Sequence, residues 1–207
     1  MVVFPGGKTR LKRVSSRAAT VRVSRRRRCR VGSRLPLAVL WRSRVGRVRL
    51  RDYGSCSRRR AADSGGLFVR AIGRHRNRGR HGWAYKLGRR GATAGAADPT
   101  GPFGSGRRLR RTDRVTWFYC RLTSRGCQRS LVLRATGEAG ALAATVVGYD
   151  DEGDGVRVAG ATVHVAGRRL LTDADGRLRV ALPAGGYRLH ASKPGLVRSF
   201  PERVTVR

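Results

Sequence analysis

The chain has 207 residues, with 47 Lys and Arg against 12 Asp and Glu and a formal net charge of +35. No apolar run approaches the roughly 20 residues of a membrane-spanning helix; the longest, Leu35 to Trp41, is closed off by Arg34 and Arg42. Apolar content suffices for two modest cores and not for one large one.

The charge is lopsided. Residues 1–139 hold 37 basic residues against five acidic, a net of +32, while residues 140–207 hold ten against seven, a net of +3. Only four basic residues are Lys, namely Lys8, Lys12, Lys86 and Lys193; the other 43 are Arg. Neutralised phosphates release counterions, so incidental polyanion binding at low salt is expected. Because the arginines are scattered through alternating runs, they read first as compositional background and second as a dedicated site. For that second reading the run Arg25, Arg26, Arg27 and Arg28 is the candidate polyanion contact.

Residues 1–19 are basic without a sustained hydrophobic period and read as a disordered arm. Thr20 to Ser24 alternates as a first strand. Ser33, followed by Pro36, predicts the start of one short helix over Leu35 to Arg42. Val45 to Tyr53 alternates again, and Ser57 to Gly66 forms a connector. Leu67 to Ile72 reads as a buried strand. Trp83 to Leu87 reads as another, with Trp83, Tyr85 and Leu87 on one face by period two. Residues 88–106, rich in Gly and Pro, form a long irregular loop of the kind that carries binding function. Val115 to Cys120 and Ser130 to Arg134 are expected to close this domain as a hairpin, with residues 136–142 as linker.

Beyond the linker, short apolar runs recur every 8–12 residues: Ala143 to Tyr149, Ala161 to Val165, Arg169 to Thr172, Leu178 to Leu182, Tyr187 to Ala191, Leu196 to Phe200 and Val204 to Val206. Between them lie turn sequences such as Asp173-Ala-Asp-Gly176 and Pro183-Ala-Gly-Gly186. Such spacing predicts an antiparallel β-sandwich.

Cys29, Cys56, Cys120 and Cys127 include no Cys-x-x-Cys pair, which disfavours a zinc ribbon or a thioredoxin-like site. Of three connectivities, sequence neighbourhood favours 29–56 with 120–127. Two disulfides in a small β-rich domain point to an oxidising compartment, hence an extracellular or cell-surface location. Met1 to Arg10 carries no secretory h-region, which pulls the other way.

Val158-Ala-Gly-Ala-Thr-Val-His-Val165, Thr172-Asp-Ala-Asp-Gly176, Leu182-Pro-Ala-Gly-Gly-Tyr187 and Ala191-Ser-Lys-Pro-Gly195 occur in the order found in the carboxypeptidase regulatory-like domain. Residues 143–207 therefore resemble that transthyretin-like sandwich, and the resemblance implies an accessory β-domain without catalysis. Gly82-Trp-Ala-Tyr-Lys-Leu-Gly88 and Thr112-Asp-Arg-Val-Thr-Trp117 resemble two strands of the family similar to the C-terminal domain of transcobalamin. The family's Asn before Gly88 is missing, and Thr112 replaces its Gly. That resemblance implies a small β-grasp-like module over 20–135 of the kind found in secreted bacterial proteins; cobalamin is not inferred. The fold class expected is thus mainly β, a β-grasp-like α+β domain followed by a transthyretin-like sandwich.

Trp83, Tyr85 and Trp117 are candidate ligand contacts that could stack on sugars or bases, with core packing the weightier reading. His164 and His190 could approach one another, although ordinary strand positions are the simpler account. Asp150, Asp151, Glu152, Asp154, Asp173 and Asp175 lack the Glu that would complete an EF-hand loop and read as turn residues. No nucleophile elbow or phosphate loop is present, and no cofactor, metal or catalytic residue is implied. The function expected is a non-catalytic, exported accessory module that binds a surface ligand, protein or carbohydrate. The alternative is an intracellular Arg-rich nucleic-acid-binding protein.

Overall fold

The computed structural model describes residues 1–54, 56 and 66–207. The connector expected from Ser57 lies, except for Gly66, outside the described residues. The molecule is mainly β and divides into two compact units, Met1–Ser124 and Arg125–Arg207.

In the N-terminal unit the strands are β1 (Val2–Val3), β2 (Thr9–Arg10), β3 (Ala19–Arg22), β4 (Arg28–Val31), β5 (Val48–Asp52), β6 (Leu67–Ile72), β7 (His75–Arg76), β8 (Gly82–Leu87), β9 (Arg90–Gly91) and β10 (Val115–Cys120), with one helix, α1 (Pro36–Ser43). They make a five-stranded sheet of order β2-β1-β10-β8-β9, the hairpin β3-β4 and the three-stranded sheet β5-β6-β7. These pairings are antiparallel except β1 with β10, which is parallel. Alternation places Val21, Val31, Leu50, Val69 and Ile72 in one core with Leu37, Leu40, Trp83, Tyr85 and Trp117. The opposite positions, Arg22, Arg30, Arg49, Arg51, Phe68 and Arg70, are exposed. Period two thus sorts apolar from cationic side chains on each of these hairpins.

Three expectations are corrected here. Residues 1–19 are no arm throughout, because Val2 and Val3 are buried and their strand pairs with Trp117 and Phe118. A two-residue apolar strand carries too little period to be seen in the sequence. The helix falls where expected, but Ser33 does not cap it. Leu35 is its extended N-cap residue with Pro36 in the first turn, no side chain caps it, and Arg44 closes it at φ 49°. Nor do Val115–Cys120 and Ser130–Arg134 form a hairpin, since β10 pairs with β8 along its whole length.

The segment from Ser130 belongs to the C-terminal unit. There β11 (Ser130–Glu138) pairs residue for residue with β12 (Ala141–Tyr149), so the expected linker 136–142 is the tip of a hairpin. The further strands are β13 (Gly155–Arg157), β14 (Thr162–Val165), β15 (Arg168–Leu171), β16 (Arg177–Ala181), β17 (Gly185–Ser192) and β18 (Glu202–Val206). One four-stranded sheet has the path β11-β12-β13 with β16 paired to β12; the other runs β15-β14-β17-β18. Leu131, Leu133, Leu142 and Val146 of the first share a core with Val163, Val165, Leu189 and Val206 of the second. Two antiparallel sheets thus contribute to one apolar core. The strand expected at Leu196–Phe200 is only a bridge, with Val197 beside Ser130.

Turn chemistry in this unit does what its residue types predict. Asp173 accepts from the Arg177 amide at 2.7 Å, and Gly176 sits at φ 67°. Buried Thr172 donates to the Val158 carbonyl at 2.7 Å and accepts from the Ala161 amide at 2.9 Å. No helix among the described residues is long and apolar enough to cross a membrane.

Candidate functional site

The exposed faces of β3, β5 and β6 open on a cleft of about 2090 Å³ within the N-terminal unit. That is larger than the ~300–1,000 Å³ of a small-molecule pocket. Arg22 enters it from β3 and Arg25 from the turn that follows. Arg42 and Arg44 come from the end of α1, Arg47 and Arg49 from the start of β5, and Arg70 and Arg76 from β6 and β7. All eight arginines are exposed, and no acidic residue is among the described residues that line the cleft. Their charges add in a concave surface, where low-dielectric walls focus the field on an approaching anion.

Aromatic rings lie among these cations. Tyr53 is 65 % exposed and Phe68 44 %, and both line the cleft with Trp41. The rings of Tyr53 and Phe68 meet edge to face at 6.1 Å, and the Arg51 guanidinium lies 4.6 Å from the Tyr53 ring centre. Strand pairing places Arg51 opposite Phe68.

The turn that carries Tyr53 is held by Asp52. Its carboxylate accepts from the Gly54 amide at 3.1 Å and the Cys56 amide at 3.3 Å, and pairs with Arg27 at 3.2 Å. The Cys29–Cys56 disulfide joins β4 to the same turn. Gly66 completes the closure: its carbonyl accepts from the Tyr53 amide, and a Cβ there would meet the Gly54 backbone at 2.6 Å. Cys120 and Cys127 are disulfide-bonded as well, and no cysteine is free.

The four-arginine run is divided by this arrangement. Arg25 lines the large cleft. Arg26, Arg27 and Arg28 line a second one of about 600 Å³, which shares Val23, Ser24, Leu50 and Arg70 with it, and Arg27 is engaged with Asp52.

Trp83, Tyr85 and Trp117 lie in the core, 3–8 % exposed. Trp83 donates to the His75 carbonyl and Tyr85 to the Ala94 carbonyl, each at 2.9 Å, and the Tyr85 and Trp117 rings are 5.0 Å apart. Burial, with Asp98 nearby, pushes the Tyr85 phenol well above its usual range, so it stays a hydrogen-bond donor. These rings belong to the apolar core of the unit.

Part of the 88–106 loop packs inward: Ala96 and Ala97 are buried and the Ala96 carbonyl accepts from the Leu37 amide, while Gly88, Arg89, Arg90 and Gly104 to Gly106 are exposed. None of its residues lines the cleft. The exposed pair Tyr53 and Phe68 escaped sequence reasoning. One signal was there, since period two puts Phe68 on the same face as Arg70 and opposite Leu67 and Val69.

In the C-terminal unit Asp150 and Asp173 serve turns. Asp150 accepts from the Gly153 and Asp154 amides and pairs with Arg129 at 2.9 Å. Among the described residues the only metal-sized group of ligand atoms is Cys29, Asp52 and Cys56, and its two sulfurs are bonded to each other.

His164 and His190 are cross-strand partners whose rings stack at 4.4 Å, with His164 Nε2 2.8 Å from the Ser192 hydroxyl. Burial first, then the charges of Arg198, His164 and Arg188, lowers His190 to about 4. His164 is lowered too, by burial and then by Arg169 and Arg198. Unfolded histidine titrates near ~6.5, so between pH 6.5 and 4 the unfolded chain binds protons that the folded one refuses. Stability from these residues is complete above pH 6.5 and falls as the pH drops toward 4. Amide exchange at Leu189 and Ala191, corrected for its intrinsic pH dependence, should show weaker protection at pH 5 than at pH 7. His190→Gln should shrink that difference, and an unchanged difference would remove the pair from the account.

Comparison with protein-family models, with curated proteins and with solved structures finds no match to this chain.

Proposed function

We propose that this protein is a non-catalytic, exported binding module whose ligand is a polyanion seated in the arginine-lined cleft of the N-terminal unit. The observation that carries the reading is the convergence of eight exposed arginines, drawn from the three segments 22–25, 42–49 and 70–76, on one concave surface without an acidic neighbour among its described lining residues. The disulfides support an oxidising compartment. In this reading the C-terminal unit is a transthyretin-like sandwich of the carboxypeptidase regulatory type that serves as an accessory domain, a fold supported by its two antiparallel sheets around one apolar core. The N-terminal unit is its β-grasp-like partner.

The test separates a site from mere net charge. Arg22→Glu, Arg49→Glu and Arg70→Glu combined should weaken binding of fluorescent polyphosphate at about 150 mM salt by roughly 100-fold, given the charge lost at contact distance. The matched triple Arg168→Glu, Arg177→Glu and Arg203→Glu on the C-terminal unit carries the same change of charge and should leave affinity within about threefold. Equal losses from both triples would make the charge background.

The second reading, an intracellular Arg-rich nucleic-acid-binding protein, uses the same cleft and differs in compartment. A thiol count on protein from its native host decides between them, because four free thiols remove the argument for export.

A further inference from the structure

Resting on the reading of the cleft as a polyanion site, we infer that its ligand is a single-stranded nucleic acid whose bases stack on Tyr53 and Phe68. A cleft that bound anions by charge alone would need no aromatic side chains, and burying them would be favourable. Here Tyr53 and Phe68 are instead 65 % and 44 % exposed beside Arg49, Arg51 and Arg70.

Three features make the pair a platform. The rings meet edge to face at 6.1 Å, which gives each a defined orientation. The Arg51 guanidinium over Tyr53 restricts that ring before a ligand arrives. The Asp52 carboxylate and the Cys29–Cys56 disulfide fix the turn that carries Tyr53, so little ordering remains to be done on binding.

The alternation of cation and planar ring fits a polymer that alternates anion and planar ring. A duplex offers phosphates and base edges but keeps its base faces stacked inside. A single strand offers phosphates and faces together, and stacking tolerates any sequence because every base has a π-face. The cleft volume of about 2090 Å³ leaves room for several nucleotides.

The experiment is fluorescence anisotropy at about 150 mM salt with the full chain and four probes: a 12-nucleotide mixed-sequence DNA strand, an abasic strand of equal charge, the corresponding duplex, and a sulfated oligosaccharide. The base-bearing strand should bind at least about 10-fold more tightly than the abasic one, the gain expected of one or two stacked bases. Tyr53→Ala and Phe68→Ala should each remove about 10-fold of its affinity while leaving the abasic strand unchanged, and Tyr53→Phe should restore it. Both side chains are exposed, so the core is untouched, and unchanged Trp fluorescence will verify the fold.

Equal binding of base-bearing and abasic strands, indifferent to Tyr53→Ala and Phe68→Ala, overturns the stacking inference and leaves the polyanion reading standing. Preference for the duplex, or for the sulfated oligosaccharide with an equal loss in Tyr53→Ala, overturns it in favour of that ligand. Failure of every probe to bind overturns both readings.

Discussion

Gly137→Val is expected to destabilise the C-terminal unit by more than about 3 kcal/mol, beyond the usual cost of overpacking. Gly137 lies in β11 where it passes β18, and a Cβ there would coincide with the Thr205 carbonyl group. Overpacking costs least when a flexible side chain can move aside; here the obstacle is backbone, itself held by the pairing of β18 with β17. Gly140 is the control. It sits at φ 65° in the turn, and a Cβ there would meet nothing within 4 Å, so Gly140→Ala should cost only about 1 kcal/mol of backbone strain. Urea unfolding followed by amide exchange at Leu142 and Val206 measures both. If Gly137→Val unfolds like the parent protein, the close approach of β11 and β18 is wrong.

Replacing Cys29 and Cys56 together by Ser should cost the N-terminal unit about 3–4 kcal/mol, the loop-closure entropy of a bridge between residues 27 apart in sequence. All three tryptophans, Trp41, Trp83 and Trp117, belong to this unit, so intrinsic fluorescence during urea unfolding reports on it selectively. Substitution is better than a reducing agent, because no cysteine is free and dithiothreitol would act on every disulfide of the chain. The same variant should weaken polyanion binding modestly, since the turn bearing Tyr53 loses its covalent tie to β4 while Asp52 still caps it. A midpoint shift worth less than about 1 kcal/mol would mean that the bridge closes a loop already ordered in the unfolded chain.

The parts of the fold legible in the sequence were those encoded by neighbours in the chain. Val48–Asp52, Leu67–Ile72 and Gly82–Leu87 announce themselves by alternation or by apolar runs between glycines. The Asp173-Ala-Asp-Gly176 turn does so by side-chain capping and by a positive-φ glycine. The Cys29–Cys56 pairing followed from proximity in sequence. The candidate site was less legible. Among aromatics, size and clustering drew attention to Trp83, Tyr85 and Trp117, yet these same properties make them core residues. Tyr53 and Phe68 stood apart from one another and from any motif, and they meet because β5 pairs with β6.

Composition and local pattern suffice to make the chain mainly β, to place most of its cations before residue 140 and to locate most strands and one helix. These depend on periodicity and composition, which act over a few residues. Tertiary structure alone decided that Val2 and Val3 pair beside Trp117, that Ser130–Glu138 joins the C-terminal sheet, and that Gly137 marks a backbone crossing in place of a linker. It also decided that arginines from the three segments 22–25, 42–49 and 70–76 face one cleft. A strand's edge hydrogen bonds are the same whichever neighbour satisfies them, so partner choice rests on contacts between residues far apart in the chain, and local pattern holds no record of those.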